Sequence, residues 1–243
     1  MIFSITDRET RALYKLLKKF SEDVDVYIKL NSTRRRGRLY IQERGYKLVL
    51  LFPVNIIQYK NYALKLPLRT FKEMLKTINS TSSPQIILEV VDNMHVKGTI
   101  LSGTEPKEEI FEMQRIADTE EPILDLDILT AWKIPAQELL LSKAWVQRIP
   151  TNETEVTLFY TGDSIWEFQC DNLPPYMIKV TQQIGTIRSC KMYSKAVKFL
   201  FKLLNMLRGK GIVSINMYFL VYDFTFDQVK GKYYAPVWNM ELT

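Results

Sequence analysis

The sequence predicts an α+β protein built from two structurally similar halves, each with two helices packed on antiparallel sheets. Three observations carry this. Four segments have the 3.6-residue apolar period of amphipathic helices, and nearly everything between them alternates apolar and polar residues as half-buried strands do. The helical segments start near 6, 67, 136 and 194, so the second pair repeats the first about 130 residues later. Finally, an excess of positive charge is concentrated on those same segments.

The first helix is predicted over 6–20, with Leu13, Leu16, Leu17 and Phe20 on one face and Thr6 and Glu9 spaced as a capping box. The second, 67–79, opens on Pro67 and turns Phe71, Met74, Leu75 and Ile78 inward. The third, 136–148, is apolar nearly all round. The fourth, 194–208, has Ser194 as its cap and Val197, Leu200, Phe201 and Leu204 inward. Strands are predicted at 25–31, 38–44, 46–52, 61–67, 85–91, 94–101 and 108–115 in the first half. The second half repeats them at 130–135, 155–161, 164–170, 176–182, 211–224 and 232–238. Between the halves, 115–128 crowds Asp118, Glu120, Glu121, Asp125 and Asp127 around Pro122 and reads as an acidic extended connector. The domain boundaries are therefore 1–114, 115–128 and 129–243.

The net charge is +6, yet the four helical segments alone carry 14 basic and 4 acidic side chains, so the remainder is acidic. On a helical projection Arg8, Arg11, Lys15, Lys18 and Lys19 oppose the leucine stripe of the first helix. Arg69, Lys72 and Lys76 do the same on the second, and Lys195, Lys198 and Lys202 on the fourth; the third contributes Lys143 and Arg148. Such faces attract phosphates without reading bases. The expected nucleic-acid contacts are Arg11, Lys15, Lys18, Lys72, Lys76, Lys143, Arg148, Lys195, Lys198 and Lys202. The competing reading of each face is ordinary solvated lysine. A separate cluster, Arg34, Arg35, Arg36 and Arg38, falls between two predicted strands and reads as a nucleic-acid contact, a localisation signal or a solvated hairpin loop.

Other function classes find little support. One histidine and two cysteines 20 residues apart cannot build a zinc cluster, and Cys170 and Cys190 read as free thiols in a reducing compartment. No run approaches the ~18–20 apolar residues of a membrane span, and the start lacks the basic and apolar regions of a signal peptide. There is no phosphate-binding GxxxxGK[ST] motif. Asp125 and Asp127 form a carboxylate pair, and His95 is a lone strand histidine; neither has convergent company, so no catalytic residue, metal or cofactor is expected.

Two stretches carry a family resemblance. FEMQRIADTEEP at 111–122 and the C-terminal GIVSINMYFLVYDF followed by KYYAP at 232–236 resemble the sliding DNA clamps of the proliferating cell nuclear antigen (PCNA) type, and the other pieces follow in the family's order. The resemblance implies the DNA clamp fold, a ring of six such domains closed by a homotrimer, and basic helices facing duplex DNA. The ring contact would join the strand near 108–115 to the strand near 174–182 of the next subunit. It implies a DNA polymerase processivity factor that tethers replication and repair proteins and is placed on DNA by a separate clamp loader. Implied partner-peptide contacts are Ile41, Tyr46 and Leu48, connector residues Ile123, Leu124 and Leu126, then Tyr218, Tyr234, Ala235 and Pro236, with Trp238 on the face of Pro236. The connector is two residues shorter than usual, and one residue is missing between the family's Tyr and Ala.

The positive net charge departs from the family's usual acidity. It leaves open a monomeric or dimeric open clamp, a subunit of a heterotrimeric checkpoint-type ring, or a divergent viral clamp. A clamp-fold transcription factor is the remaining alternative. The expected location is the nucleus or a viral replication compartment, or the cytoplasm for a prokaryote or a cytoplasmic virus.

Overall fold

The structure, a computed structural model, describes residues 2–21, 23–31, 33–43, 45–56, 62–80, 85–92, 95–101, 109–115, 132–140, 143–150, 154–179, 187–216 and 218–242. The predicted connector therefore lies almost wholly outside the described residues. The chain divides into two compact units that are not contiguous in sequence. One comprises 1–42, 49–124 and 226–230, the other 43–48, 125–225 and 231–243.

The first unit begins with β1 (Ile2–Ser4) and α1 (Asp7–Leu17), followed by β2 (Asp25–Asn31), β3 (Arg36–Glu43), β4 (Tyr46–Pro53), β5 (Asn55–Ile56) and β6 (Tyr62–Pro67). Then come α2 (Leu68–Ser80), β7 (Gln85–Val90), β8 (His95–Leu101) and β9 (Glu109–Arg115). Its strands run β4-β3-β2-β6-β9-β8-β7-β1-β5 across one sheet. α1 and α2 pack on each other, and α2 also packs on β2 and β6. The alternation that predicted β2 is visible as burial: Val26, Ile28 and Leu30 are inside, with Tyr27 and Lys29 on the other face. Ile5, Ile28, Leu30, Phe52, Leu64 and Phe71 are among the side chains that close the core between helices and sheet.

The second unit contains β10 (Trp132–Pro135), a 3-10 turn (Ala136–Leu139), α3 (Lys143–Arg148), β11 (Glu155–Gly162), β12 (Ile165–Cys170), β13 (Tyr176–Lys179) and β14 (Ile187–Tyr193). It continues through α4 (Ser194–Met206), β15 (Ile212–Ile215), β16 (Phe219–Phe226), β17 (Val229–Pro236) and β18 (Trp238–Leu242). One run pairs as β10-β15-β16-β17 and a five-stranded sheet as β13-β12-β11-β14-β18. α4 packs on β11 and β14 and touches α3.

Strand order shows the duplication more directly than helix spacing does. β10-β15-β16-β17 has the connectivity of β1-β7-β8-β9, and β13-β12-β11-β14 has that of β4-β3-β2-β6. The chain is thus α+β with antiparallel sheets and two helices per half.

Three local expectations are corrected. The segment 136–148 is not one helix. Leu140 is extended (ψ 98°) after the 3-10 turn, and helix resumes at Lys143. Its apolar residues surround the axis, so a break lets Leu139 and then Trp145 and Val146 each turn inward. The Thr6–Glu9 capping box does not form. Thr6 makes no side-chain cap, and Glu9 is buried. Ser194 is the first helical residue rather than the cap, and its N–H donates to Thr154 O.

Candidate nucleic-acid and partner surfaces

On α1, Arg11, Lys15 and Lys18 are exposed, with Arg8 and Lys19 beside them. The inner stripe, Ala12, Leu13, Leu16 and Leu17, is fully buried. Arg11 reaches back one turn to Asp7 at 3.5 Å, and Lys15 Nζ lies 5.9 Å from the centre of the Phe226 ring. Both contacts are at the surface, where an ion pair adds little and leaves the cation available. On α2, Lys76 is exposed and Arg69 pairs with Glu73 at 3.3 Å. Arg148 of α3 and Lys202 of α4 are exposed as well. The side chain of Lys143 lies outside the described residues.

Three nominated lysines are engaged with their own unit. Lys72 is not on the solvent face: it is 7% exposed, and its ammonium donates to Phe20 O at 3.2 Å. This corrects its assignment. The stem lies under the turn after α1, and the charge is spent on a carbonyl there. Lys198 is half-buried and donates to Ile149 O at 2.9 Å. Lys195 is exposed but pairs at 2.7 Å with Glu43, whose carboxylate is almost wholly covered, and its ammonium lies 5.9 Å from the centre of the Tyr46 ring.

The implied peptide groove fares differently. Ile41 and Leu48 are fully buried strand residues, and Ile41 pairs with Val26. Tyr46 stacks on Phe199 at 4.7 Å and lies 5.7 Å from Tyr233. Burial raises the Tyr46 phenol above its ordinary range, with Glu43 adding to the effect. Tyr234 and Ala235 are buried too, Tyr234 against the edge of Phe219. These five residues are core, not exposed wall, because their strands are covered on the faces that carry them. Tyr218 is 56% exposed and Pro236 half-buried, and Val237 N–H donates to Tyr218 O, which holds the two chain segments together. Ile123, Leu124 and Leu126 lie outside the described residues. Trp238 does not continue the strand of Pro236. It begins β18, pairs with Lys191 in the five-stranded sheet and packs on Tyr193 at 4.5 Å.

β13 lies at an edge of its sheet among the described residues, with Met177 64% exposed. Among the described residues β9 pairs with β8 from Glu109 to Gln114 and with β6 through Gln114 and Arg115. Cys170 and Cys190 are buried free thiols. Among the described residues no three His, Cys, Asp or Glu side chains converge as a metal site.

No protein-family model matches the chain, and no curated protein matches it by sequence. Solved structures do. A PCNA2–PCNA3 complex from Sulfolobus tokodaii aligns with a TM-score of 0.62 at 14% identity, over 97% of this chain and 99% of that one. A. fulgidus PCNA bound to the C-terminal region of FEN-1 aligns with a TM-score of 0.61 at 13% identity, over 99% and 100%. PCNA of Entamoeba histolytica gives 0.60 at 14% identity, over 97% of each chain. Across essentially its whole length, this chain has the fold of the PCNA-type sliding clamps.

Proposed function

We propose that this protein is a sliding-clamp processivity factor, a scaffold rather than an enzyme, that holds duplex DNA without reading its sequence and tethers a polymerase to it. The observation that carries this reading is the full-length match to clamps in both directions. The exposed cations Arg11, Lys15, Lys18, Lys76, Arg148 and Lys202 supply the chemistry: each phosphate contact is weak and sequence-blind, so the protein can move along the duplex. Closure as a homotrimer would pair β13 of one copy with the part of β9 that precedes its Gln114–Arg115 pairing to β6 in the next copy. Among the described residues Tyr218 and Pro236 are the implied peptide contacts at the surface, and a partner's short peptide would dock beside them. Loading would fall to a separate ATP-driven protein.

A second reading has its own support. The Sulfolobus tokodaii structure is a complex of two different clamp chains, so this chain would then be one subunit of a mixed ring. Light scattering on the purified chain separates the two. Three copies per particle, with longer products from the cognate polymerase on a primed template, support the homotrimer. A lone subunit that stimulates only when a second clamp chain is added supports the mixed ring. A lone subunit that never stimulates overturns both.

A further inference from the structure

The arginine run is the strongest motif left unused by the clamp reading. It forms the tip of the β2–β3 hairpin, where Asn31 pairs with Arg36, Leu30 with Gly37 and Lys29 with Arg38. Arg34, Arg35 and Arg36 are all exposed. Among the described residues none of the three meets a carboxylate, whereas Arg8, Arg11 and Arg69 each do. The described stretches beside the tip, 28–31, 33–38 and 52–56, contain no Asp or Glu.

The tip is also held in place. Arg34 N–H donates to Asn31 Oδ1 at 2.9 Å, and Val54 N–H to Arg35 O at 3.1 Å. Arg35 sits in the left-handed region at φ 47°. Gly37 lies so close to the Phe52 ring that a Cβ there would collide with it. The cluster is carried by the β2–β3 turn and not by α1 or α2, so it is a basic surface additional to the helix faces.

We propose that the Arg34–Arg36 hairpin is a second DNA contact, binding phosphodiester groups outside the helix faces. Guanidinium suits this better than ammonium, since its planar fork donates to two phosphate oxygens at once and is weakly hydrated. Three such groups on one restrained turn, with no carboxylate partner among the described residues to release first, match the repeated phosphates of a nucleic-acid strand. This deepens the clamp reading and rests on it only for the choice of DNA among polyanions.

The test is fluorescence anisotropy over a salt series with a labelled 30-base-pair duplex and a labelled oligo(dT) 30-mer. The variants are R34Q/R36Q, which leaves Arg35 and its backbone untouched, and K76Q on the helix face. The hairpin variant should melt with wild type and bind more weakly. Its slope of log affinity against log salt should fall by roughly 2 on the duplex, at ~0.9 per phosphate contact, or by ~0.7 per contact on the single strand. Whichever probe responds identifies the strand form. If the double variant melts lower, R34Q and R36Q are read singly, each expected to lose about one contact. Wild-type affinity and slope on both probes in the hairpin variants would overturn the proposal. So would a variant that loses polyglutamate but not DNA, since the hairpin would then recognise an acidic protein. A hairpin variant with weakened DNA binding, in a protein that never stimulates a polymerase, would sink the clamp reading alone. Full stimulation with undiminished DNA binding would sink the hairpin alone.

Discussion

Lys72 and Lys76 lie one turn apart on α2 with opposite assignments, and a pair of substitutions separates them. Lys72→Met removes the charged donor to Phe20 O and should cost about 1–2 kcal/mol in urea unfolding, without changing the salt slope of DNA binding. Lys76→Gln should leave stability within about 0.5 kcal/mol and lower that slope by about 0.9. Cys190 gives a pH prediction. Burial pushes its thiol up from 9.0 to about 12. Between those values the unfolded chain has released a proton that the folded chain keeps, so the group's contribution is intact below pH 9 and is lost as pH rises towards 12. Wild type should therefore lose stability faster than Cys190→Ala from pH 9 upward, by up to about 1.4 kcal/mol per pH unit. Equal slopes in urea titrations of the two proteins would refute this.

At the scale of elements, the β16–β17 hairpin depends on one missing side chain. Gly231 faces Phe224, and a Cβ there would run into the ring. Gly231→Ala should cost about 1–3 kcal/mol through the shift this forces, seen as a lower urea midpoint with an unchanged m-value. The same hairpin carries Tyr233, whose hydroxyl donates to Ala196 O of α4 at 2.7 Å. The KYYAP motif therefore serves first to fix β17 on a helix, and it reaches the surface through Lys232 and Pro236.

For the whole molecule, the strand-order repeat is the strongest statement: two copies of one pairing scheme fold on two pairs of helices. If rings form through β9 and β13, the exposed Met177 of β13 lies in the joint. Met177→Arg should then lower the mass seen by light scattering at micromolar concentration and leave the melting profile of the single chain unchanged. An unaltered mass would place the subunit contact away from β13.

The sequence by itself determined the strands and three of the four helices, because burial on one face forces a period that any reader of the chain can see. Val26, Ile28 and Leu30 of β2 and the leucines of α1 fall where the period puts them. The short strands β1, β5 and β18 escaped notice, and 211–224 holds two strands, β15 and β16, rather than one; β14 escaped too, since Ser189 and Cys190 occupy buried places usually marked by larger apolar residues. The nominated surfaces were legible only in part. A helical projection gives the direction in which a side chain leaves the axis, so it put Lys15, Lys76 and Lys202 on the solvent side, where they are exposed. It holds no record of what stands beside the helix, so it also named Lys72 and Lys198, whose long stems reach carbonyls 52 and 49 residues away in sequence. Ile41, Tyr46 and Leu48 were misplaced for a like reason: an apolar strand residue lines a groove or fills a core according to what packs over it. That covering comes from residues distant in the chain, Phe199 and Tyr233 above Tyr46 among them, and only the tertiary structure brings them there.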